Sequence, residues 1–240
     1  MTAFLYPAGF YENRRNHTAY AAQKILAALP AGLRRERIAD IGCGTGTWLA
    51  AALAIGSTYA FGAEGDWVTP AMLDDPRIDF HPHDLEKPFI GPRVDLAISL
   101  EVAEHLSPER AESFVTDLVA LAPAILFSAA IPGQGGVGHR NERWQSYWAK
   151  LLAAHGYAAF DLVRPAIWTD DAIPAWYRQN TVLYVELSIG KTLVLVPTDP
   201  RQLDRVHPLF WERANRELRS ANAQPESEIL KRQAQMMQQQ

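Results

Sequence analysis

The stretch Ile38-Ala39-Asp40-Ile41-Gly42-Cys43-Gly44-Thr45-Gly46-Thr47-Trp48-Leu49 decides the fold. A short apolar run ends in an acid. Three glycines then alternate with small residues, and an Ala/Leu-rich segment begins. That order predicts a β-strand, a tight glycine loop and a helix N-terminus. Alternate glycines let the backbone approach a flat, adenosine-like ligand, at an entropic cost that a plain turn has no reason to bear. A dinucleotide loop runs G-x-G-x-x-G and holds a pyrophosphate at the helix start. Here Thr47 occupies the third glycine position, and Asp40 stands just before the loop. A carboxylate there disfavours a pyrophosphate and suits a ligand with an ammonium or sulfonium group.

Outward from this loop, apolar runs predict strands near 37–41, 58–63, 77–81, 94–100, 124–129, 157–163 and 181–188. Helical spacing predicts helices near 17–29, 46–55, 108–121 and 142–154, with Ser107 and Pro108 at the start of the third. Alternating strands and helices imply an α/β fold with a mostly parallel sheet covered on both faces. Between 164 and 180 no helical pattern is evident, so the alternation breaks and the last strand is expected to run antiparallel.

Residues 1–30 read as an N-terminal arm or lid followed by a helix, 31–195 as the ligand-binding domain, and 196–240 as a C-terminal helix and polar tail. The helix is expected at 200–221, and the Gln-rich end reads as frayed or as a homodimer contact.

The 240 residues are 48% hydrophobic and carry a net charge of −4, enough apolar content for a sizeable core and no general electrostatic reason to bind nucleic acid. No apolar stretch approaches the roughly 18 residues of a membrane span. The single cysteine, Cys43, excludes an internal disulfide. No signal-peptide pattern opens the chain. The expectation is a cytoplasmic protein with a small-molecule substrate and neither nucleic acid nor membrane as partner.

Three further motifs follow the predicted strands. After the second, Glu64-Gly65-Asp66 places Glu64 where an acid binds ribose hydroxyls in nucleotide folds, with Asp66 the weaker choice. After the third, His81-Pro82-His83-Asp84-Leu85 offers Asp84 as an acceptor for an adenine amine. After the fourth, Glu101-Val102-Ala103-Glu104-His105 gathers three polar side chains at the sheet edge where ligands bind. A helical turn there would put Glu101, Glu104 and His105 on one face.

These four motifs, in this order, resemble class I S-adenosylmethionine-dependent methyltransferases over about residues 35–190. The resemblance implies a Rossmann-like, doubly wound sheet of seven strands with an antiparallel last strand. It implies S-adenosylmethionine as cofactor. Gly42, Gly44 and Gly46 would wrap its amino-acid and ribose side, and Glu64 with Gly65 would take the ribose diol. Asp84 with Leu85 would take the adenine, and Leu100 and Glu101 would flank the cofactor beside Asp40. The E-V-x-E-H string is also similar to the metal-binding signature of small-RNA 2′-O-methyltransferases and ubiquinone-pathway O-methyltransferases, with His139 in the place of a downstream histidine. Many metal-free relatives carry the same string, and no metal is assigned.

The leading expectation is methyl transfer to a small-molecule metabolite, with His105 or His139 as base and Glu104 orienting it. The glycine-rich segment Ile131–His139 reads as a mobile loop over the site, and Trp176, Tyr177 and Asn180 as acceptor contacts. Tyr11 and Arg14 of the arm are expected to close over the cofactor. Three alternatives stay open. One is intramolecular cyclisation of the cofactor with release of methylthioadenosine. Another is a non-catalytic binding module. The third, RNA methylation, is disfavoured by the charge balance.

Overall fold

A computed structural model describes the backbone of residues 8–221 and side chains from residue 16. The chain forms two compact units, Met1–Arg205 and Val206–Gln240. In the first, α1 (Ala8–Ala28) leads into β1 (Arg37–Ile41), α2 (Thr47–Ala54), β2 (Tyr59–Glu64), β3 (Asp79–Pro82) and β4 (Leu96–Leu100). There follow α3 (Ala111–Leu121), β5 (Ala124–Ser128), α4 (Gln145–Ala153), β6 (Tyr157–Phe160), α5 (Val163–Ile167), α6 (Ala175–Asn180), β7 (Val182–Glu186) and α7 (Leu187–Thr192). The second unit contains a helix over 208–221 on which Trp211 and Leu218 are exposed.

The seven strands form one sheet in the order β3-β2-β1-β4-β5-β7-β6. All pairings are parallel except those of β7, which runs antiparallel to both β5 and β6. Successive residues feed opposite faces, as a pleated strand requires. In β5, Ile125 and Phe127 enter one core while Ala124 and Leu126 enter the other. One face is covered by Phe114, Val115 and Leu118 of α3 and Trp148 and Leu152 of α4. The other is covered by Ala21, Ile25 and Leu26 of α1, Leu49 of α2, and Val163 and Ile167 of α5. Both faces are thus buried, which explains near-continuous apolar strands such as Leu96–Leu100.

Several elements depart from the sequence expectation. Helix α1 begins at Ala8, so the arm is already helical where described, and its charged residues masked the periodicity. The side chains of Tyr11 and Arg14 lie outside the described residues. The segment 164–180, read as non-helical, contains α5 and α6. Each is a single short stretch with a proline at its beginning, Pro165 inside the first turn of α5 and Pro174 capping α6. Such helices are too short to show a period. The expected helix at 200–221 is a 3-10 turn at Pro200–Gln202 followed by the helix over 208–221. No described helix is long and apolar enough to cross a membrane.

Candidate active site

The strand order reverses direction between β1 and β4, and the carboxyl ends of those strands bound the crevice where open α/β sheets bind ligands. The glycine loop leaves β1 at this point. Gly42 has φ +89°, and a Cβ there would lie 2.3 Å from Val102 Cγ2. Gly46 has φ +78°, and a Cβ would lie 2.6 Å from Ile78 Cδ1. Both positions therefore need glycine for conformation and for space. The amides of Gly42 and Cys43 donate to the Ala63 carbonyl at 2.8 and 3.2 Å, which ties the loop to β2. Thr47, the departure from a dinucleotide loop, donates its hydroxyl to Asp74 Oδ2 at 2.6 Å and so fastens the helix start to the loop after β2.

Glu64 ends β2 beside this loop. One carboxylate oxygen accepts the Gly44 amide at 3.0 Å and the other the Gly65 amide at 2.8 Å. Burial raises the Glu64 carboxyl above its ordinary value, and these two amides oppose the rise. Asp40 is buried, and its Oδ2 has no hydrogen-bond partner among the described residues. Burial first, and Glu64 second, push its carboxyl well above the usual range.

At the end of β4, Glu101 adopts φ +57°, a left-handed conformation that costs a non-glycine residue energy. Glu101 itself is therefore outside any helical turn, and a single turn follows it, closed by the His105 amide on the Val102 carbonyl at 2.9 Å. The Glu101 amide donates to the carbonyl and hydroxyl of Ser128, each at 3.0 Å. Its carboxylate accepts from Asn180 Nδ2 at 3.0 Å and from Gln134 Nε2 at 3.4 Å. Gln134 Oε1 in turn accepts from Asn180 at 3.0 Å and Gln179 at 2.8 Å. This buried amide network joins β4, the loop after β5 and α6. Burial raises the Glu101 carboxyl, and the hydrogen bonds from Asn180, Ser128 and Gln134 pull it back.

Glu104 is fully buried, and neither of its carboxylate oxygens has a well-formed hydrogen bond. Burial and then the neighbouring Glu101 raise its carboxyl well above the usual range, which favours the protonated acid. Beside it, the rings of His105 and His139 meet edge to face with centroids 4.9 Å apart. Donor atoms of Glu104, His105 and His139 all lie within 4.8 Å of one another. Burial, then His139, lower His105 to about 4, against a backbone hydrogen bond at Gly138. His105 is thus neutral at physiological pH and has a lone pair to offer. His139 Nδ1 lies 2.9 Å from Glu142 Oε1. Two imidazoles and one carboxylate form a donor set that suits a first-row divalent ion.

The remaining sequence-predicted residues divide. Tyr177 is buried edge-on to Trp48, with centroids 5.3 Å apart, and burial followed by Glu101 pushes its phenol up to about 12. Asn180 is buried in the amide network. Trp176 packs edge to face on Tyr177 at 6.0 Å. Asp84 caps its own turn through the Glu86 amide and pairs with Lys87 at 3.6 Å. The side chains of Leu85 and Leu100 belong to the two cores. His81 stacks on Phe61, and His83 meets Phe89 edge-on with centroids 5.1 Å apart. Gln134, Gln179, Glu142 and Trp48 were not singled out from sequence. Only the glycines around Gln134 and the spacing of Glu142 from His139 signalled them. A shallow groove of about 700 Å³ lies beyond Glu142, lined by Arg143, Trp144, Tyr147 and Lys150, and contains none of the carboxylates around the glycine loop.

No protein-family model matches the chain, and no curated protein does. Solved structures do match. Magnesium protoporphyrin IX methyltransferase from Synechocystis PCC 6803 with bound SAH is similar at TM-score 0.56 and 18% identity, covering 75% of this chain and 94% of that one. An O-methyltransferase family protein from Burkholderia thailandensis is similar at TM-score 0.54 and 14% identity, covering 74% of this chain and 58% of that one. An O-methyltransferase from neocarzinostatin biosynthesis, in complex with SAM and 2-hydroxy-5-methyl naphthoic acid, is similar at TM-score 0.53 and 16% identity, covering 75% and 57%. The chain therefore has the Rossmann-like methyltransferase fold, with the seven-stranded sheet and the antiparallel strand that the sequence implied.

Proposed function

We propose that this chain is an S-adenosylmethionine-dependent methyltransferase acting on a hydroxyl of a small molecule. One observation carries the reading. Asp40, Glu64 and Glu101 are gathered at the switch point around a loop of left-handed glycines, and no described lysine or arginine pairs with them. Asp40 is buried and Glu64 and Glu101 are half-buried, and carboxylates withdrawn from water without cations are costly unless a ligand supplies the charge. S-adenosylmethionine brings two positive groups, its sulfonium and its α-ammonium. Glu64, held open by the Gly44 and Gly65 amides, is oriented for a ribose diol. Solved structures that share the fold hold SAM or SAH, which supports the same cofactor.

The acceptor side consists of Glu104, His105 and His139. A neutral imidazole can take the proton from a hydroxyl as its oxygen attacks the methyl carbon. The reaction then needs little beyond alignment and exclusion of water, which the loop over the site supplies. The neighbours act on chemically unrelated acceptors by their own names, so the fold does not choose among them.

Incubation with S-adenosylmethionine, alone and with a panel of hydroxylated acceptors, tests the reading. Acceptor-dependent formation of S-adenosylhomocysteine is the expected result. Methylthioadenosine formed from the cofactor alone would replace transfer by intramolecular cyclisation.

The orphaned oxygens of Glu104 favour a second reading of the histidine cluster. There Glu104, His105 and His139 would hold a divalent ion, which would supply Lewis-acid polarisation of the acceptor. A metal content near one per chain, lost on substituting His139, would favour this reading over the free base.

A further inference from the structure

The loop from Ile131 to Arg143 carries His139 but contains no regular secondary structure. One side chain gathers its glycine-rich part around His139. Glu142 Oε2 accepts the Gly133 amide at 2.8 Å, and Oε1 accepts the Gly135 amide at 2.9 Å. The same Oε1 meets His139 Nδ1 at 2.9 Å. Gly133, Gly135 and Gly138 are all left-handed, so the segment has little intrinsic preference for this shape. Its C-terminal part is tied separately: the Arg140 and Asn141 amides donate to the Glu104 carbonyl at 2.8 and 3.0 Å, the Arg140 guanidinium donates to the His105 carbonyl at 3.1 Å and pairs with Glu86, and the Arg143 amide donates to the Ala130 carbonyl at 3.2 Å, while Gln134 enters the amide network.

We infer that Glu142 is a positioning residue that fixes His139 and the loop together. The inference rests on the reading of His139 as an acceptor-side group. An ionised carboxylate only accepts, so His139 Nδ1 must be the protonated nitrogen. That choice leaves the ring's lone pair on Nε2. Free neutral imidazole favours the opposite tautomer, with the proton on Nε2. The Glu142 contact therefore reverses the intrinsic preference. Nε2 itself rests against the backbone at Gly136, where a Cβ would lie 2.2 Å away. One carboxylate thus joins two jobs, since loosening the loop releases the ring and releasing the ring loosens the loop.

Nuclear magnetic resonance of the full chain, labelled with nitrogen-15 at histidine and glycine, tests this without any acceptor. Long-range nitrogen–proton correlations distinguish the two tautomers at mildly alkaline pH. Wild type is expected to show His139 protonated at Nδ1. In Glu142→Gln, the Nε2–H form should appear. Amide exchange at Gly133 and Gly135 should quicken by about tenfold or more, the loss of roughly one charge-assisted hydrogen bond. His139 protonated at Nε2 in wild type would overturn the inference, and needs no variant to fold. So would an Nδ1–H ring with unchanged Gly133 and Gly135 protection in Glu142→Gln. If no methyl transfer is found for the enzyme, the tautomer result still stands, so the two failures separate.

Discussion

The amide of Gly44 donates to the carboxylate of Glu64 at 3.0 Å, joining the glycine loop after β1 to the end of β2. Two motifs that are 20 residues apart in sequence thereby meet at the carboxyl edge of the sheet. Because Glu64 uses one lone pair of each oxygen on a backbone amide, each oxygen keeps a further lone pair for a ligand.

Glu64→Gln should weaken binding of S-adenosylhomocysteine by about 10- to 100-fold, the scale of one charged hydrogen-bond partner. Far-ultraviolet circular dichroism should be unchanged. Titration followed by tryptophan fluorescence measures the affinity, and an unaltered midpoint would remove Glu64 from the site.

Asp40→Asn should stabilise the unliganded protein and weaken cofactor binding. The folded chain holds the Asp40 proton to higher pH than the unfolded chain does, because burial and Glu64 raise its carboxyl. Its stabilising contribution is therefore complete below the ordinary carboxylate range and is lost as pH rises through the raised value. At neutral pH the substitution should add about 1 kcal/mol, or about 2–4 °C in Tm. The advantage should fade as pH falls toward the ordinary carboxylate range. Thermal melts across pH check both the sign and the window.

Gly42→Ala should disable binding through the backbone. The added Cβ meets Val102 Cγ2 at 2.3 Å in a left-handed conformation, so the loop must move. A cost of about 1–3 kcal/mol in stability is expected, read by urea denaturation, together with loss of cofactor affinity.

Arg164→Leu should cost about 3 kcal/mol in the same denaturation experiment. Arg164 is fully buried, pairs with both oxygens of Asp161 at 2.7 and 2.8 Å, and donates to the carbonyls of Leu203 and Gln179 at 2.7 and 3.2 Å. Its removal leaves Asp161 with Arg205 at 3.4 Å and loosens Gln179, hence the amide network behind Glu101.

His139→Ala should lower the methyl-transfer rate by about 10²- to 10⁴-fold while leaving cofactor affinity intact, as expected of a proton acceptor remote from the adenosine. Rate and affinity measured on the same preparation would show whether the two separate.

Much of this was legible in the sequence because local rules fixed it. The alternation of Ile125 and Phe127 against Leu126 marks a strand buried on both faces, and the glycines at 42, 44 and 46 mark a loop of unusual backbone. Glu104, His105 and His139 were also visible as chemistry-bearing residues, and the fold brings them together. What stayed hidden depends on distant partners. Gln134 and Gln179 look like ordinary polar residues until a separation of 45 positions closes into a 2.8 Å contact. Glu142 falls at the start of the helix expected near 142–154, whereas the helix begins at Gln145 and Glu142 belongs to the loop that folds back on it. The helices α5 and α6 are specified by prolines at their starts and by the buried contacts of Ile167 and Tyr177, rather than by a repeating pattern.

The central claim is that the glycine loop with Asp40 and Glu64 binds a sulfonium nucleoside rather than a dinucleotide. Isothermal titration calorimetry of the wild-type protein with S-adenosylmethionine and, separately, with NAD measures this directly. Saturable one-site binding of S-adenosylmethionine with no heat from NAD is the predicted result. Binding of NAD, or no binding of S-adenosylmethionine, would contradict the account.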